Sequence, residues 1–68
     1  MEIVSKVLIE LRKEKGLTQQ QVATYLKIDR SNYSKYERGK LEVSIYMLRE
    51  LSKFYGVSTD YLLGLEKL

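Results

Sequence analysis

The chain of 68 residues contains no cysteine, no histidine and no proline. Without cysteine, disulfides and thiolate metal sites are excluded. Without histidine, only carboxylates remain as metal ligands, and the commonest acid–base group of enzymes is missing. Because the nine acidic residues are also dispersed and no glycine-rich phosphate loop is present, the sequence argues against an enzyme. We therefore expect no catalytic residue, no metal, no cofactor and no small-molecule ligand.

Long apolar runs are missing as well. No run approaches the roughly 18 residues of a membrane span, and the first residues lack the basic-then-apolar pattern of a signal peptide. The composition, 44% apolar and 31% charged, is that of an ordinary globular chain. We predict one domain over residues 1–68, with residues 64–68 as a tail. Its core should be thin, because a chain this short buries only about 60% of its unfolded surface.

In the absence of proline, four glycines punctuate the chain. Apolar residues recur between them at helical spacing, as at Val4, Leu8 and Leu11, and no stretch alternates as a strand would. The pattern predicts five helices, over residues 2–15, 19–26, 30–38, 45–55 and 59–63, the last four capped by Thr18, Asp29, Ser44 and Ser58. Gln21 completes a capping box with Thr18. The predicted fold class is therefore all-α.

One apolar stripe from each helix is predicted to form the core. Its expected members are Val4, Val7, Leu8, Leu11, Val22, Ala23, Leu26, Ile45, Leu48, Leu51 and Tyr55, with Tyr25, Tyr33 and Tyr36. We interpret the tyrosines as core residues, because single-strand binders display exposed rings among cations. Ile9 points away from the helix 1 stripe, and Phe54, Tyr61, Leu65 and Leu68 form an apolar C-terminal end. They predict dimerisation through the C-terminal helix and tail; the alternative is that they cap the core.

The positive charge is concentrated in one part of the chain. The net charge is +3, and residues 27–40 alone carry five positive and two negative side chains, so they hold the whole excess. In helix 3, at about 100° per residue, Tyr33, Tyr36 and Glu37 share one side. The opposite side carries hydroxyls and cations without an acid: Ser31, Ser34, Lys35 and Arg38.

A merely solvated helix face usually mixes charges of both signs, as helix 1 does, and this remains the alternative interpretation. Short hydroxyls beside long cations instead suit phosphates and purine edges. Two helices joined by a tight turn, with such a face on the second, form the helix-turn-helix arrangement. The sequence therefore favours a face that contacts DNA.

Four segments together resemble the Cro/lambda-repressor type (XRE-like) of helix-turn-helix transcriptional regulator. They are LRKEKGLTQ (11–19), VATYL (22–26), RSNYSKYERGK (30–40) and LSKFYGVSTDYLLG (51–64). The resemblance covers about residues 4–64 and implies a compact five-helix, lambda-repressor-like DNA-binding domain. In such a domain helix 3 enters the major groove and helix 2 crosses the DNA backbone.

The resemblance also implies roles for individual residues. These are phosphate contacts from Thr18 and Gln19, base contacts from Arg30, Ser31, Lys35 and, less directly, Ser34, and backbone contacts from Arg38 and Lys40. It implies a buried ion pair between Arg12 and Glu37. Two positions depart from the family pattern. Lys27 stands where glycine is frequent and must adopt a left-handed backbone, and the segment before helix 4 lacks the usual proline.

The leading hypothesis is a sequence-specific regulator that binds double-stranded DNA. It would be a repressor, dimeric on an inverted repeat, in the cytoplasm of a bacterium or encoded by a phage. The alternative is a helix-turn-helix fold used to bind a protein, as in a coactivator or an antitoxin. That alternative predicts an apolar patch on helix 3, which the sequence does not contain.

Overall fold

The computed structural model describes residues 2–66 and contains, in this range, helices and no strands. The helices are α1 (Glu2–Glu14), α2 (Gln19–Leu26), α3 (Arg30–Glu37), α4 (Ile45–Tyr55) and α5 (Thr59–Leu62). The predicted all-α class is confirmed, and each helix ends within one residue of its predicted bound. Arg38 lies just beyond α3, because its backbone (φ −93°, ψ 0°) has left the helical region. Leu68 and the end of the predicted tail lie outside the described residues.

Three of the four predicted N-caps are confirmed by their hydrogen bonds. Thr18 accepts from the Gln21 amide at 3.1 Å, and the Gln21 side chain accepts from the Thr18 amide at 2.8 Å, which is the predicted capping box. Ser44 and Ser58 each accept from the amide three residues on. Asp29 occupies the N-cap position, but its side chain makes no cap hydrogen bond, so that part of the prediction is wrong. Its negative charge still lies at the positive end of the α3 dipole.

The core takes residues from every helix and from the α3–α4 linker. Its buried apolar members are Val4, Leu8, Leu11, Val22, Ala23, Leu26, Tyr33, Tyr36, Val43, Leu48, Leu51, Tyr55 and Leu62. This set matches most of the predicted stripes. Val7, Phe54 and Tyr61 pack against it while half-buried. Because Leu8, Val22, Tyr33, Leu51 and Leu62 are sealed from solvent, five separate elements are tied to one centre.

Two residues predicted to face the core lie at the surface instead. Ile45 is 85% exposed, since it lies about 80° around α4 from Tyr55, at the edge of the buried stripe. Tyr25 is 46% exposed because it lies to the side of the α2 stripe, and its ring instead stacks on Phe54 with centroids 4.4 Å apart. Both residues lie at the edge of an apolar stripe, where helical spacing alone does not determine burial.

α3 is held against α1 and α2 by the side opposite its cations. Tyr33 is fully buried, and its ring meets that of Tyr36 edge-on with centroids 6.3 Å apart. The Ser5 hydroxyl donates to the Tyr36 carbonyl at 2.7 Å, which ties α1 to α3. These contacts fix α3 by its inner side and leave its outer side free of the core.

The turn between α2 and α3 is formed by residues 27–29 alone. Lys27 has a left-handed backbone (φ 61°, ψ 40°), as the family resemblance implied. Gly56 closes α4 with nearly the same angles (φ 67°, ψ 34°), but without the cost that a side chain adds in this region. In the part of the chain that the structure describes, no helix has the length and apolar character needed to cross a membrane.

Candidate nucleic-acid interface

Arg30 at the start of α3, the outer side of the helix and two cations just beyond its end form one cationic surface. We call it the basic face: Arg30, Ser31, Ser34, Lys35, Arg38 and Lys40. All of these side chains are exposed except Ser34, which is half-buried. None of the four cations forms an ion pair within residues 2–66, and the face itself carries no carboxylate. It therefore presents hydrogen-bond donors and positive charge to any ligand that approaches α3.

Thr18 and Gln19, predicted as phosphate contacts, lie at the N-terminus of α2, which packs against α3. Thr18 is exposed, and its hydroxyl oxygen is already used as the cap acceptor for the Gln21 amide. Since a hydroxyl also donates, its proton remains available to a phosphate oxygen. The first amides of α2 contribute further donors at the positive end of the helix dipole.

Arg12 and Glu37 form the ion pair that joins α1 to the end of α3. Arg12 Nε donates to Glu37 Oε2 at 2.7 Å, and Nη2 donates to Oε1 at 3.1 Å, so the contact is bidentate. The third guanidinium nitrogen donates to the Leu17 carbonyl at 2.9 Å. Only 4% of the Glu37 side chain and 16% of the Arg12 side chain are exposed. The pair thus fixes the position of α3 relative to α1 and to the start of α2.

Burial of the Glu37 carboxylate acts to raise its pKa, but hydrogen bonds from Arg12 and Gln19 and the nearby Tyr33 hydroxyl outweigh that effect. The pKa of Glu37 consequently lies below its ordinary value, and the group is charged near neutral pH. The hydrogen bond to Glu37 raises the pKa of Arg12 in turn.

Two phenol groups lie beside this pair inside the core. The Tyr33 and Tyr55 hydroxyls are buried, and neither reaches hydrogen-bond geometry with any described residue. Burial raises the pKa of both phenols, so they remain neutral. The Tyr33 hydroxyl lies close enough to Glu37 to favour the charged carboxylate. These rings are core residues, and no base could stack on them in this fold.

Gln19 makes a contact that the sequence did not predict. Its Nε2 donates to Glu37 Oε1 at 3.0 Å, and its Oε1 accepts from Arg30 Nη1 at 3.4 Å. The signal available in the sequence was weak: Arg30 and Glu37 are seven residues apart, which places them on one helical stripe. Which neighbour lies between them depends on how α2 crosses α3.

The arrangement offers hydrogen-bond donors and positive charge to acceptors and anions. Within residues 2–66, no cluster of three or more acidic side chains could hold a metal. The donors of the basic face lie on α3 and just beyond its C-terminal end. The capping box of Thr18 and Gln21 lies at the start of the neighbouring helix, α2. This geometry defines a helix-turn-helix whose second helix carries its polar side outward.

A family model described as Helix-turn-helix matches residues 8–62, which include the second half of α1 and all of α2, α3, α4 and α5. Because the match covers well over half of the chain, the protein belongs to the helix-turn-helix family. Domains of this family are binding modules and not enzymes.

Curated relatives carry the names of transcriptional regulators. The chain is 50% identical over 52 residues to the SPbeta prophage-derived HTH-type transcriptional regulator YonR of Bacillus subtilis (strain 168), covering 76% of this chain and 48% of the relative. It is 42% identical over 65 residues to the HTH-type transcriptional regulator ImmR of the same organism, covering 96% of this chain and 51% of the relative. It is 43% identical over 59 residues to the HTH-type transcriptional activator BcrR of Enterococcus faecalis, covering 87% of this chain and 29% of the relative. The chain thus spans about half the length, or less, of these relatives.

Proposed function

We propose that the protein is a sequence-specific transcriptional regulator that binds double-stranded DNA with α3 in the major groove. The observation that carries the proposal is the basic face: it carries no acid, its four cations are exposed and have no ion-pair partner among residues 2–66, and the opposite side of the helix is buried. Such a face is complementary to phosphates and to the acceptor edges of purines. The matches to proteins named as transcriptional regulators support the same function.

Within this proposal, the residues of the basic face divide into two groups. Arg30, Ser31 and Lys35 reach base edges, with Ser34 beside them, because they lie on the first two turns of the helix that enters the groove. Arg and Lys suit the O6 and N7 acceptors of guanine. Phosphate contacts come from Arg38 and Lys40 after α3, and from Thr18 and Gln19 at the start of α2. The phosphate contacts set the register, and the base contacts set the sequence preference.

We further propose a homodimer on an inverted repeat with half-site centres about 34 Å apart, one turn of DNA. Phe54 and Tyr61 pack against the core, which favours the view that they cap it. Leu65 is 75% exposed and therefore offers more surface to a partner copy. Repression by blocking polymerase is the outcome we favour, in a bacterial or phage context and in the cytoplasm. One relative is named an activator, and activation is the competing outcome.

A protein-interaction role is the second candidate function. The observation in its favour is an exposed apolar group, Leu41, Ile45 and Tyr46, at the linker and the first turn of α4. A protein that bound the recognition helix in place of DNA would need an apolar group on α3, but these three residues lie outside α3. The basic face gives such a partner little to bury, so DNA is the better-supported ligand.

Selection of bound duplexes from a random pool tests the proposed function directly. We expect enrichment of an inverted repeat whose half-sites are one helical turn apart, and a log affinity that falls with log salt. The control is the same selection with a variant carrying Arg30→Ala and Lys35→Ala, which should lose the consensus. If the wild-type protein enriches no sequence and its affinity does not depend on salt, the DNA-binding proposal is wrong.

A further inference from the structure

An open groove of about 480 Å³ lies between α1 and the C-terminal end of α3. We call it the α1–α3 groove; residues 37–39 form one wall, and the other wall consists of Glu2, Ser5, Lys6 and Ile9. Because a helix rises about 1.5 Å per residue, the wall from α1 is about 10 Å long. Ligand sites in proteins have volumes of about 300–1,000 Å³, so the groove is large enough to hold a ligand.

A contact between α1 and α3 fixes the two walls of the groove relative to each other. The hydroxyl of Ser5, a buried residue, donates to the Tyr36 carbonyl at 2.7 Å. Gly39 has no side chain to occupy the space, and a Cβ at this position would lie 3.4 Å from Ser5 Oγ. The groove is therefore formed before any ligand binds, which reduces the ordering cost of binding.

Ile9 supplies the apolar part of the groove. The helical pattern places this residue away from the core stripe of α1, and the structure leaves it half-buried. Within residues 2–66, the half-buried apolar side chains that pack against the core do not include it. Ile9 is thus an apolar side chain in the groove wall that the core does not use, and an apolar ligand group would remove more of it from water.

Each wall of the groove also carries a cation. Lys6 and Arg38 are exposed, and neither forms an ion pair with any residue from 2 to 66. The Glu37 carboxylate does not neutralise them, because it is already paired with Arg12. Two cations and one acid, Glu2, therefore remain in the groove. This excess of positive charge favours a ligand that carries a carboxylate.

We propose that the α1–α3 groove binds a short acidic and apolar peptide segment of a partner protein. A carboxylate of the segment pairs with Lys6 and Arg38, and an apolar side chain packs on Ile9. Three residues of extended chain span about 10 Å, which matches the length of the α1 wall. A small inorganic anion would use the two cations but would leave Ile9 in water, so a peptide fits the groove better.

Arg38 belongs both to the α1–α3 groove and to the basic face, which gives the segment an effect on DNA binding. This part of the inference rests on the proposed function, in which Arg38 contacts a phosphate. A carboxylate paired with Arg38 competes with that phosphate and repels the DNA backbone. The segment and DNA should therefore weaken each other's binding by the same factor. Such a partner would release the regulator from DNA without covering the outer side of α3.

An NMR titration with a terminally blocked hexapeptide of alternating glutamate and leucine tests the groove in the absence of DNA. We expect saturable amide shift changes at Lys6, Ile9 and Gly39. Lys6→Ala and Ile9→Ser each remove one contact and should weaken binding by about three- to tenfold. A hexapeptide with glutamine in place of glutamate should bind the wild-type protein at least about threefold more weakly.

Lys13→Ala is the matched control for Lys6→Ala. Lys13 is an exposed cation two turns further along α1, and it does not line the groove. At about 0.15 M salt its loss should change the affinity for the hexapeptide by less than about twofold, because screening weakens attraction beyond about 8 Å. Arg30→Ala with Lys35→Ala removes two cations of the basic face and leaves the groove intact, so this variant should also bind within about twofold of the wild type.

Fluorescence anisotropy with the selected duplex tests the effect on DNA binding. Lys6 lies outside the basic face, so Lys6→Ala alone should bind the duplex within about twofold of the wild type. A saturating concentration of the hexapeptide should lower the duplex affinity of the wild-type protein by at least about threefold. The same concentration should lower that of Lys6→Ala by less than about twofold.

The contrary outcomes are distinct. If Lys6→Ala and Lys13→Ala weaken hexapeptide binding equally, the attraction is general and the groove is not a binding site. Shift changes confined to the basic face, or absent throughout, also overturn the proposal. If the hexapeptide binds the groove and the duplex affinity stays unchanged, the effect on DNA binding is wrong while the proposed function stands. If the protein binds no duplex, the proposed function fails, and the titration still decides whether the groove binds the peptide.

Discussion

α3 and α4 each carry exposed cations, but their environments differ. On α4, Lys53 lies 3.6 Å from the Glu50 carboxylate, and the Arg49 guanidinium lies 6.0 Å above the ring of Tyr46. On α3, Lys35 has no ion-pair partner among residues 2–66, and the acidic residue of the helix is turned into the core. The number of positive charges is therefore a poor guide to a binding face. The absence of local acids that would neutralise them is a better one.

The largest effect expected from this comparison concerns DNA affinity. Arg30→Ala with Lys35→Ala should weaken binding to the selected duplex by about 2–6 kcal/mol, at about 1–3 kcal/mol per contact. Arg49→Ala with Lys53→Ala removes the same charge from α4 and should cost less than about 1 kcal/mol, since only long-range attraction is lost. Fluorescence anisotropy at one salt concentration measures both. Equal losses would mean that net charge, and not the basic face, determines binding.

A second pair of variants compares the ion pair of Glu37 on α3 with that of Glu50 on α4. Glu37→Gln should lower the free energy of unfolding by about 2–3 kcal/mol, somewhat below the value for a fully buried pair because Arg12 keeps some exposure. Glu50→Gln removes the partner of Lys53, which is 62% exposed, and should cost about 0–0.5 kcal/mol. Urea unfolding measures both values. A similar cost at the two positions would contradict the structural role of Glu37.

The same difference should be visible in the pH dependence of stability. Because the pKa of Glu37 is lower in the folded state than in the unfolded state, the ion pair contributes fully above the unfolded value, about 4.5. That contribution is lost as pH falls through the lower folded value. Wild-type stability should therefore decrease below about pH 4.5, and the decrease should be smaller in Glu37→Gln. Parallel stability curves for the two proteins would contradict the pKa shift.

The N-caps of α3 and α4 offer a smaller contrast. Ser44→Ala should destabilise the fold by about 1 kcal/mol, because it removes the acceptor of the Met47 amide. Asp29 accepts no cap hydrogen bond, so Asp29→Ala should cost only the interaction of its charge with the helix dipole, about 0.3–0.5 kcal/mol. Thermal unfolding at pH 7 distinguishes them. A larger cost at Asp29 would mean that its side chain caps α3 in solution.

The smallest effects concern the left-handed residues that end α2 and α4. Lys27→Gly should stabilise the protein by about 0.5–1 kcal/mol, since it relieves the backbone cost of a side chain at φ 61°. Gly56→Lys should destabilise it by a similar amount, about 1 kcal/mol, although a Cβ there meets nothing within 4 Å. Urea unfolding of both variants measures the effects. If Lys27→Gly instead lowers the free energy of unfolding, the lysine side chain stabilises the fold by more than its left-handed backbone destabilises it.

The fold was predictable because local signals and the global pattern agreed. Helical spacing, the caps at Thr18, Ser44 and Ser58, and the glycines located every helix to within a residue. The errors at Tyr25 and Ile45 share one cause. Both residues lie at the edge of an apolar stripe, and whether an edge residue is covered depends on the neighbouring helix, which periodicity does not describe.

The candidate site was predictable in part. Helical geometry alone separated Ser31, Lys35 and Arg38 from Tyr33 and Tyr36, and the structure exposes the first three and buries the two tyrosines. The pairing of Arg12 with Glu37 came from the resemblance to a family, because the two residues are 25 positions apart. The contact of Gln19 with Arg30 was missed, since it depends on the crossing of α2 over α3 and on the orientation of one amide.

Mapping backbone amide shifts by NMR on addition of the selected duplex tests the central claim most directly. We expect the largest changes at the start of α2 and along the basic face, including Ser31, Ser34 and Lys35. The outer side of α4, at Arg49 and Lys53, should change little beyond any contact between copies. Changes concentrated on α4 and its exposed Tyr46, with α3 unperturbed, would contradict the assignment of the basic face as the DNA-binding surface.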